Sequence, residues 1–357
     1  MDTVVTVTGE KSADSIGVTL PHEHLIIDAS IWVPKGPELT AIQQRKLEAE
    51  VSMENLWWLT TYGRRSDWNS LDNRRLDDLE TAKEEAMRFV AEGGETLVDV
   101  TPMSPGLGRD PRALKQISNY TGLNVVAGTG HYVRHAHPSD IDEQSAEAIA
   151  DEMIDDVVSG IDGTGVRAGV IGEIGATEGF LTNENEMKVF RAAAEAQRRT
   201  GAPITIHPPV HYMEGHDVLD VLEEAGADLT NVILGHLDGV MELEDSSAYY
   251  DSLAERGVYL EFDTFGRIGY IASQDACFPL DESRILELRR LFDEGYGDQL
   301  LVSHDICKKN QLTKYAGHGY DYILRDIVPR LKGRGFSDTD IDRLLIDNPA
   351  HALTIER

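Results

Sequence analysis

Short apolar runs rich in β-branched residues recur along the chain, and stretches with helical spacing of apolar positions lie between them. We predict strands at eight places: 17–25, 95–101, 124–129, 168–174, 203–207, 231–236, 257–263 and 299–304. After the first interval the strand starts fall 26 to 44 residues apart, which is the length of a strand, a helix and two loops. This rhythm predicts a parallel α/β architecture.

Eight strand–helix units are compatible with a doubly wound sheet or with a closed barrel. A nucleotide-binding sheet would carry a glycine-rich turn after its first strand, but here that strand runs into His22-Glu23-His24. Polar residues also gather at the carboxyl ends of the strands, where barrel enzymes place their active sites. We therefore predict an α/β fold of the (β/α)₈ TIM-barrel class, as a single domain over residues 1–357. The helices that alternate with the strands are predicted at 145–159, 184–200, 281–292 and 321–331.

The first interval is longer than the others and predicts two helices, at 47–62 and 76–91. Apolar residues between positions 47 and 58, including Trp57 and Trp58, form a broad apolar surface. Core packing is the ordinary explanation of such a surface, and a dimer contact or a wall beside the pocket are the alternatives. At the amino terminus, segments 3–8 and 16–20 flank Gly9-Glu10 and predict a short hairpin across the bottom of the barrel.

Composition narrows the range of partners. The chain has 63 acidic and 33 basic residues, a formal charge of −30, so nucleic acid and anionic membrane surfaces are poor partners. A small anionic substrate in a locally basic pocket remains compatible with this charge. Two cysteines, Cys277 and Cys307, are too few for a disulfide framework. No signal sequence or apolar run of membrane-spanning length is evident, so we expect a cytoplasmic protein.

Histidines and acids mark the ends of five predicted strands. His22 and His24 occupy positions i and i+2 of the first strand, so their side chains face the same way and can bind one ion together. The other strand-end residues are Glu173, His207, His236 and Asp305. Imidazole nitrogen and carboxylate oxygen are typical ligands of zinc and similar divalent metals. By contrast, His304 should point to the opposite face of its strand and is not expected to be a ligand.

These residues lie in stretches that resemble the phosphotriesterase family of the amidohydrolase superfamily. The stretches are GVTLPHEHL (17–25), RAGVIGEIG (167–175), ITIHPP (204–209), ILGHLD (233–238) and LVSHDI (301–306). The resemblance covers essentially the whole chain. It implies two divalent metal ions, zinc by default with manganese, cobalt or iron as alternatives, and it implies a homodimer.

In the family's pattern, His22, His24 and Asp305 would bind the more buried ion, and His207 and His236 the more exposed one. Many members bridge the ions with a carboxylated lysine, but the fourth strand here has Glu173 in that place and contains no lysine. This feature resembles the phosphotriesterase-related branch and argues against efficient organophosphate hydrolysis. Asp305 would act as the general base and then as the general acid.

Further residues are candidates for orienting the metal ligands and for binding the substrate. Asp238 and Asp263 are candidates for orienting the histidines, and Tyr132, after the third strand, lies where lactonase members place a tyrosine over the metals. We interpret Arg267 and Lys308 as receptors for an anionic substrate group. Lys308 belongs to an eighth-strand loop that also carries Lys309 and Lys314, and a solvated cluster balancing nearby acids is the alternative explanation of these lysines.

The expected function is therefore that of a binuclear metal-dependent hydrolase. A metal-bridging hydroxide would attack the carbonyl of a lactone or ester, or of an N-acyl amino acid type amide. The phosphotriesterase-related branch includes amide hydrolysis of N-acyl taurine-like compounds, which suits an anionic substrate. A phosphoester substrate and a non-catalytic metal-binding protein of the same fold are the alternatives.

Overall fold

Eight parallel strands form the centre of the molecule in a computed structural model, which describes residues 2–33, 39–61, 70–271 and 275–355. In spatial order the strands are β3 (Thr19–Glu23), β6 (Thr96–Asp99), β7 (Asn124–Thr129), β8 (Val170–Gly175), β9 (Ile204–His207), β10 (Val232–Leu234), β11 (Tyr259–Phe262) and β14 (Leu300–Val302). All eight predicted strands are present. The order follows the chain, as expected for a (β/α)₈ barrel.

Helices cover the outside of the strands. They are α1 (Ala41–Leu47), α2 (Leu56–Thr61), α3 (Leu79–Ala91), α4 (Pro111–Thr121), α5 (Ala146–Asp155), α6 (Glu184–Thr200), α7 (Gly215–Glu224), α8 (Ser246–Ala254), α9 (Asp281–Asp293), α10 (Val328–Gly333), α11 (Asp338–Asp342) and α12 (Asn348–Ala352). The predicted helix 184–200 coincides with α6. Within the described ranges, no helix is both long enough and apolar enough to cross a membrane.

The prediction of one continuous helix at 47–62 is wrong. α1 ends at Leu47, where that helix was expected to begin, and α2 starts only at Leu56. Between them the backbone turns, because Asn55 Oδ1 accepts from Ser52 N (2.9 Å) and Asp72 Oδ2 accepts from Val51 N (2.8 Å). Such side-chain bonds compete with helical ones. The predicted end of the helix, Tyr62, lies outside the described residues.

The apolar surface of this region is only partly core. Leu56 and Trp58 are buried, whereas Met53 and Trp57 are exposed. Core packing therefore explains two of these four residues. The homodimer stays a prediction.

The amino-terminal hairpin closes the bottom of the barrel, as predicted, but its second strand differs from the expected one. β1 (Thr3–Thr6) pairs with β2 (Gly9–Ser12), whereas Leu20, expected in the hairpin, pairs with Leu97 inside the barrel sheet. Val4 packs with barrel residues that include Val98, Val126 and Val170. The backbone of β1 approaches so closely that a Cβ on Gly169 would lie 2.2 Å from Val5 O.

Two further antiparallel pairs complete the strands. β4 (Ile27–Asp28) pairs with β5 (Arg75–Leu76), and β12 (Gly269–Ile271) pairs with β13 (Ala276–Phe278). Both pairs contribute residues to the cavity above the barrel. They therefore shape the region where a substrate would enter.

Side chains join the first strand to the last. The described strands form parallel ladders from β3 round to β14, but β14 and β3 share no ladder. Instead, Ser303 Oγ accepts from His22 N (3.2 Å) and lies 2.8 Å from both His22 O and Glu23 Oε1, which share its single hydroxyl hydrogen. Glu23 also accepts from the backbone N–H groups of His304 (2.9 Å) and Ile306 (3.0 Å). The barrel is therefore closed by polar contacts at the end where His22 and His24 lie.

Candidate metal centre

The structure brings the six predicted metal ligands together at the carboxyl ends of five strands. Glu173 Oε1 is at the centre, 2.9 Å from His207 Nδ1, 2.9 Å from His236 Nε2 and 3.4 Å from His22 Nε2. On the other side of His22, His24 Nε2 lies 3.4 Å from Asp305 Oδ1. All six residues are at least nine-tenths buried. Two sets of three, His22–His24–Asp305 and His22–Glu173–His236, have ligand atoms within 4.8 Å of one another.

Backbone conformation aims two of these side chains into the site. His236 and Asp305 have φ angles of 54° and 51°, in the left-handed region that side chains other than glycine seldom adopt. His236 is the second residue after β10 and Asp305 the third after β14, so these turns bend the chain just beyond the strand ends. Strained backbone of this kind is concentrated at functional sites.

Electrostatics at the site suits a cation. Burial would raise the pKa of Glu173, but His207, His22 and His236 hold it well below its ordinary value. Burial would likewise lower the pKa of His22, but Asp263 and Glu261 raise it well above normal. A buried, ionised carboxylate is stabilised by positive charge beside it, and a divalent ion is the strongest local source of such charge.

The donor set also fits metal ions in its chemistry. His22 Nε2 is buried and has no hydrogen-bond partner among the described residues, although it points towards Glu173. An unpaired buried nitrogen is expensive, and a metal bond would satisfy it. Imidazoles with carboxylates are the ligands expected for zinc and its neighbours in the first transition row.

Contacts to the second ring nitrogen hold three of the four histidines in place. Asp263 accepts from His236 Nδ1 (2.8 Å) and from the His236 backbone N–H (2.9 Å), in agreement with the prediction that it orients a histidine. The sequence did not reveal two similar partners: Glu261 Oε2 lies 2.9 Å from His22 Nδ1, and Thr101 Oγ1 lies 2.9 Å from His24 Nδ1. Contacts to the second ring nitrogen fix the imidazole orientation.

Asp238 does not orient a histidine, contrary to our prediction. Its Oδ2 atom accepts from Arg284 Nε (2.7 Å), Thr264 N (3.1 Å) and Thr264 Oγ1 (2.6 Å). The left-handed turn at His236 carries the following residues away from the site, and Arg284 of α9 needs an anion because it is fully buried. Asp238 therefore anchors the loop after β11 to α9.

A cavity of about 450 Å³ opens above the six residues. Tyr132 lines it, and the Tyr132 hydroxyl lies 3.1 Å from His207 Nδ1, in line with its predicted place over the site. Arg267 also lines it, but Arg267 Nη1 donates to Asp305 Oδ2 (2.7 Å) and its guanidinium lies over the ring of Phe278 at 4.3 Å. A cavity of this size suits a small-molecule site.

Comparison with known proteins identifies the family. A sequence profile of the phosphotriesterase family matches residues 2–353. The chain belongs to the phosphotriesterase family. N-acetyltaurine hydrolases of Bos taurus and Xenopus tropicalis are 37% and 36% identical to it, over 99% of this chain and 98% of each relative.

Solved structures agree with this assignment. A resiniferatoxin-binding protein from Rhodobacter sphaeroides superposes with a TM-score of 0.91 at 38% identity, covering 99% of this chain and 96% of that one. A phosphotriesterase homology protein from Escherichia coli, complexed with phosphate in its active site, gives 0.76 at 31%, covering 95% and 99%. The chain is thus a hydrolytic enzyme of a family whose members are binuclear metal hydrolases.

In this phosphotriesterase-family enzyme the lysine cluster does not line the cavity with the candidate metal ligands. Lys308 lines a neighbouring cavity of about 380 Å³, and burial, with Arg267 and Arg74 nearby, holds the pKa of Lys308 well below its ordinary value. Lys309 donates to Asp72 (2.6 Å) and Lys314 lies 3.5 Å from Asp78. Lys309 and Lys314 thus balance local acids, whereas a role of Lys308 in substrate binding stays a prediction.

A different basic residue lines the cavity and was missed. Arg74 lies in the turn before β5, far along the chain from every family-like stretch, and it is 4% exposed. No motif in the sequence around it, LDNRRLDD, distinguishes it from a surface arginine.

Proposed function

We propose that this enzyme hydrolyses the amide bond of small N-acyl amino acids or N-acyl aminosulfonates, and that N-acetyltaurine is the first substrate to test. The observation that supports the reaction is the position of Glu173 Oε1, which lies within 3.4 Å of three imidazole nitrogens at the floor of the cavity. The relatives named for N-acetyltaurine hydrolysis, which match over nearly the full chain, support the substrate class.

We assign two divalent ions to the site, with zinc as the first metal to test. His22, His24 and Asp305 would hold one ion, His207 and His236 the other, and Glu173 would lie between them. When bound, such ions polarise the scissile carbonyl and activate water.

Asp305 is proposed to move the proton. Its Oδ1 atom faces His24, while its Oδ2 atom, bonded to Arg267, is available to take a proton from the attacking water. Burial would raise the pKa of Asp305, but His24 and Arg267 hold it below its ordinary value, so the carboxylate is ionised at neutral pH. An amide nitrogen leaves only after protonation, and Asp305 would donate that proton as general acid.

Tyr132 is proposed to position the substrate. Burial raises the pKa of the Tyr132 hydroxyl well above its ordinary value, and Glu173 and Asp305 raise it further. The hydroxyl therefore keeps its proton and can donate a hydrogen bond to a substrate oxygen beside His207.

The test compares turnover of N-acetyltaurine, a lactone and a phosphotriester by protein loaded with zinc, manganese or cobalt. We expect N-acetyltaurine to give acetate and taurine, detected by mass spectrometry, at the highest kcat/KM. Asp305→Asn should lower kcat by about 10²- to 10⁴-fold, and Glu173→Gln should lower metal content as well. The matched control is Glu184→Gln, which changes an exposed acid at the start of α6.

Two results would contradict the proposal. Turnover that survives in both Asp305→Asn and Glu173→Gln, with unchanged metal content, would overturn the mechanism. A preference for the phosphotriester or the lactone over N-acetyltaurine would overturn the substrate class.

A further inference from the structure

Arg74 is a buried arginine whose side chain has no partner among the described residues. Its side chain lines the cavity above the candidate metal ligands and is 96% buried, since 4% of its surface is exposed. Its Nε atom is enclosed and has no hydrogen-bond partner, and within the described ranges no carboxylate forms an ion pair with its guanidinium. The hydrogen bonds at this residue are made by its backbone, which donates to Leu71 O (3.1 Å) and accepts from Ala29 N (2.8 Å).

Two other arginines of the described chain, one buried and one partly exposed, are satisfied. Arg284 is fully buried, and its nitrogens donate to Asp238, Asp281 and Thr264, all within 2.9 Å, and to two backbone carbonyls. Arg267 is paired with Asp305. A buried charge without a partner is strongly unfavourable, and the chain has 63 acids for 33 bases. The missing partner of Arg74 is therefore not explained by a shortage of carboxylates.

Groups of both charge signs act on Arg74, but burial outweighs the favourable ones. Burial lowers the pKa of Arg74, and Arg267 lowers it as well, while Cys307, Asp305 and Tyr132 act in the opposite direction. Arg74 lines the same cavity as Asp305 and Tyr132, the groups assigned to proton transfer and substrate positioning. An anion at this point would face two arginines, one of which is already paired.

We propose that Arg74 is the specificity-determining residue that receives the anionic end of the substrate, a sulfonate or a carboxylate. This inference rests on the proposed function for the scissile amide and names the residue that selects the substrate. The planar guanidinium matches two oxygens of such a group with parallel hydrogen bonds. Arg267 is already paired with Asp305. We therefore assign the binding of the anionic group to Arg74 in place of Arg267 and Lys308.

The experiment measures binding apart from turnover. Pentane-1-sulfonate has the chain length of N-acetyltaurine without its amide, hexanoate is its carboxylate counterpart, and methyl pentyl sulfone is a neutral relative. Binding of each to the metal-loaded protein is measured by isothermal titration calorimetry for wild type, Arg74→Met, Arg74→Lys and Arg75→Met. Arg75 is the matched control, since it is the adjacent arginine, it pairs with Asp28 (2.9 Å) and it lies outside the cavity.

We expect Arg74→Met to weaken binding of one or both anions by at least about 30-fold, because it removes one partner of a buried charge pair. The anion with the larger loss identifies the preferred end group. Binding of the sulfone should change less than about threefold, Arg74→Lys should recover part of the loss, and Arg75→Met should behave as wild type. The Tm of Arg74→Met should stay the same or rise, because an unpaired buried charge is removed.

Several results would overturn the assignment. One is an equal loss of affinity for the anions and the sulfone in Arg74→Met, and another is a loss of anion affinity of the same size in Arg75→Met. The others are no binding of either anion to wild type and a marked fall in the Tm of Arg74→Met. Turnover of N-acetyltaurine separates this inference from the proposed function. Anion binding that depends on Arg74 in a protein without amidase activity would refute the proposed function alone, and amidase activity unaffected in Arg74→Met would refute the role of Arg74 alone.

Discussion

Replacing Glu23 by glutamine tests whether polar side chains close the barrel at the candidate metal centre. Glu23 lies between His22 and His24 and is fully buried. Its Oε1 atom accepts from Ser303 Oγ (2.8 Å), His304 N (2.9 Å) and His304 Nδ1 (2.7 Å), and its Oε2 atom accepts from Ile306 N (3.0 Å). A glutamine can keep the first set of contacts but would turn its NH₂ group towards the N–H of Ile306.

The cost follows from these contacts. One buried donor left unsatisfied costs about 1–3 kcal/mol, and the loss of charge weakens each of the other three bonds by about 1 kcal/mol. The neutral amide is cheaper to bury, which offsets part of this, so the net loss is about 3 kcal/mol. At about 2.1 cal/mol/K per residue, 357 residues have an unfolding entropy of about 0.75 kcal/mol/K, so Tm should fall by about 4 °C.

The assay is calorimetric unfolding of metal-loaded wild type, Glu23→Gln and Glu95→Gln. Glu95 is an exposed acid at the other end of the same pair of strands and accepts from Val18 N at 3.4 Å, so its replacement should shift Tm by less than about 1 °C. Glu23→Gln should also weaken metal binding about tenfold, since it supports the segment that carries His22 and His24. An unchanged Tm in Glu23→Gln, or equal shifts in the two variants, would show that closure does not depend on this carboxylate.

Dialysis against a chelator should abolish hydrolysis and lower Tm, since ligands that bind only the native state stabilise it, and zinc, manganese or cobalt should restore both; activity that resists chelation would refute metal dependence. Thr101→Val should weaken metal binding about tenfold in a chelator competition, because it removes the contact to His24 Nδ1. Arg284→Met should cost about 3–5 kcal/mol in urea unfolding, because it leaves Asp238 buried without its partner. Burial lowers the pKa of His318 to about 3, so below pH 6.5 the unfolded chain binds a proton at this residue that the native protein does not bind. The free energy of unfolding should therefore fall by about 2 kcal/mol from pH 7.5 to pH 5. His318→Phe should remove that part of the pH dependence.

The strands and the six strand-end residues could be predicted from the sequence because they depend on local patterns. Strand length, β-branched content and the i, i+2 spacing of His22 and His24 are properties of short segments. The carboxyl ends of parallel strands then meet at one end of the barrel, whatever the details of the loops. The resemblance to a known family added the roles of the two carboxylates, which the spacing left open.

The errors and omissions arise where contacts cross long stretches of chain. Asp238 was assigned to a histidine two residues away, but its partner Arg284 is 46 residues further on. The predicted helix 47–62 runs through a stretch where the backbone in fact turns. Asp72, which is 21 residues further along the chain than Val51, helps to form that turn. Arg74 belongs to no motif, and only the folded structure shows that it is buried, lines the cavity and has no side-chain partner in the part of the chain that is described.

The net charge of −30 and an anionic substrate are compatible because the two act over different distances. At physiological ionic strength, interactions between exposed charges are screened beyond about 8 Å, so distant surface acids contribute little at the floor of the cavity. Inside the cavity, the nearest charged groups determine the local potential. Glu173 and Asp305 are in contact with histidines and with Arg267, so among the described residues neither carboxylate pairs with Arg74. We therefore predict weak binding of polyanions such as nucleic acid to the acidic surface, whereas a small anion that enters the cavity meets a local positive charge.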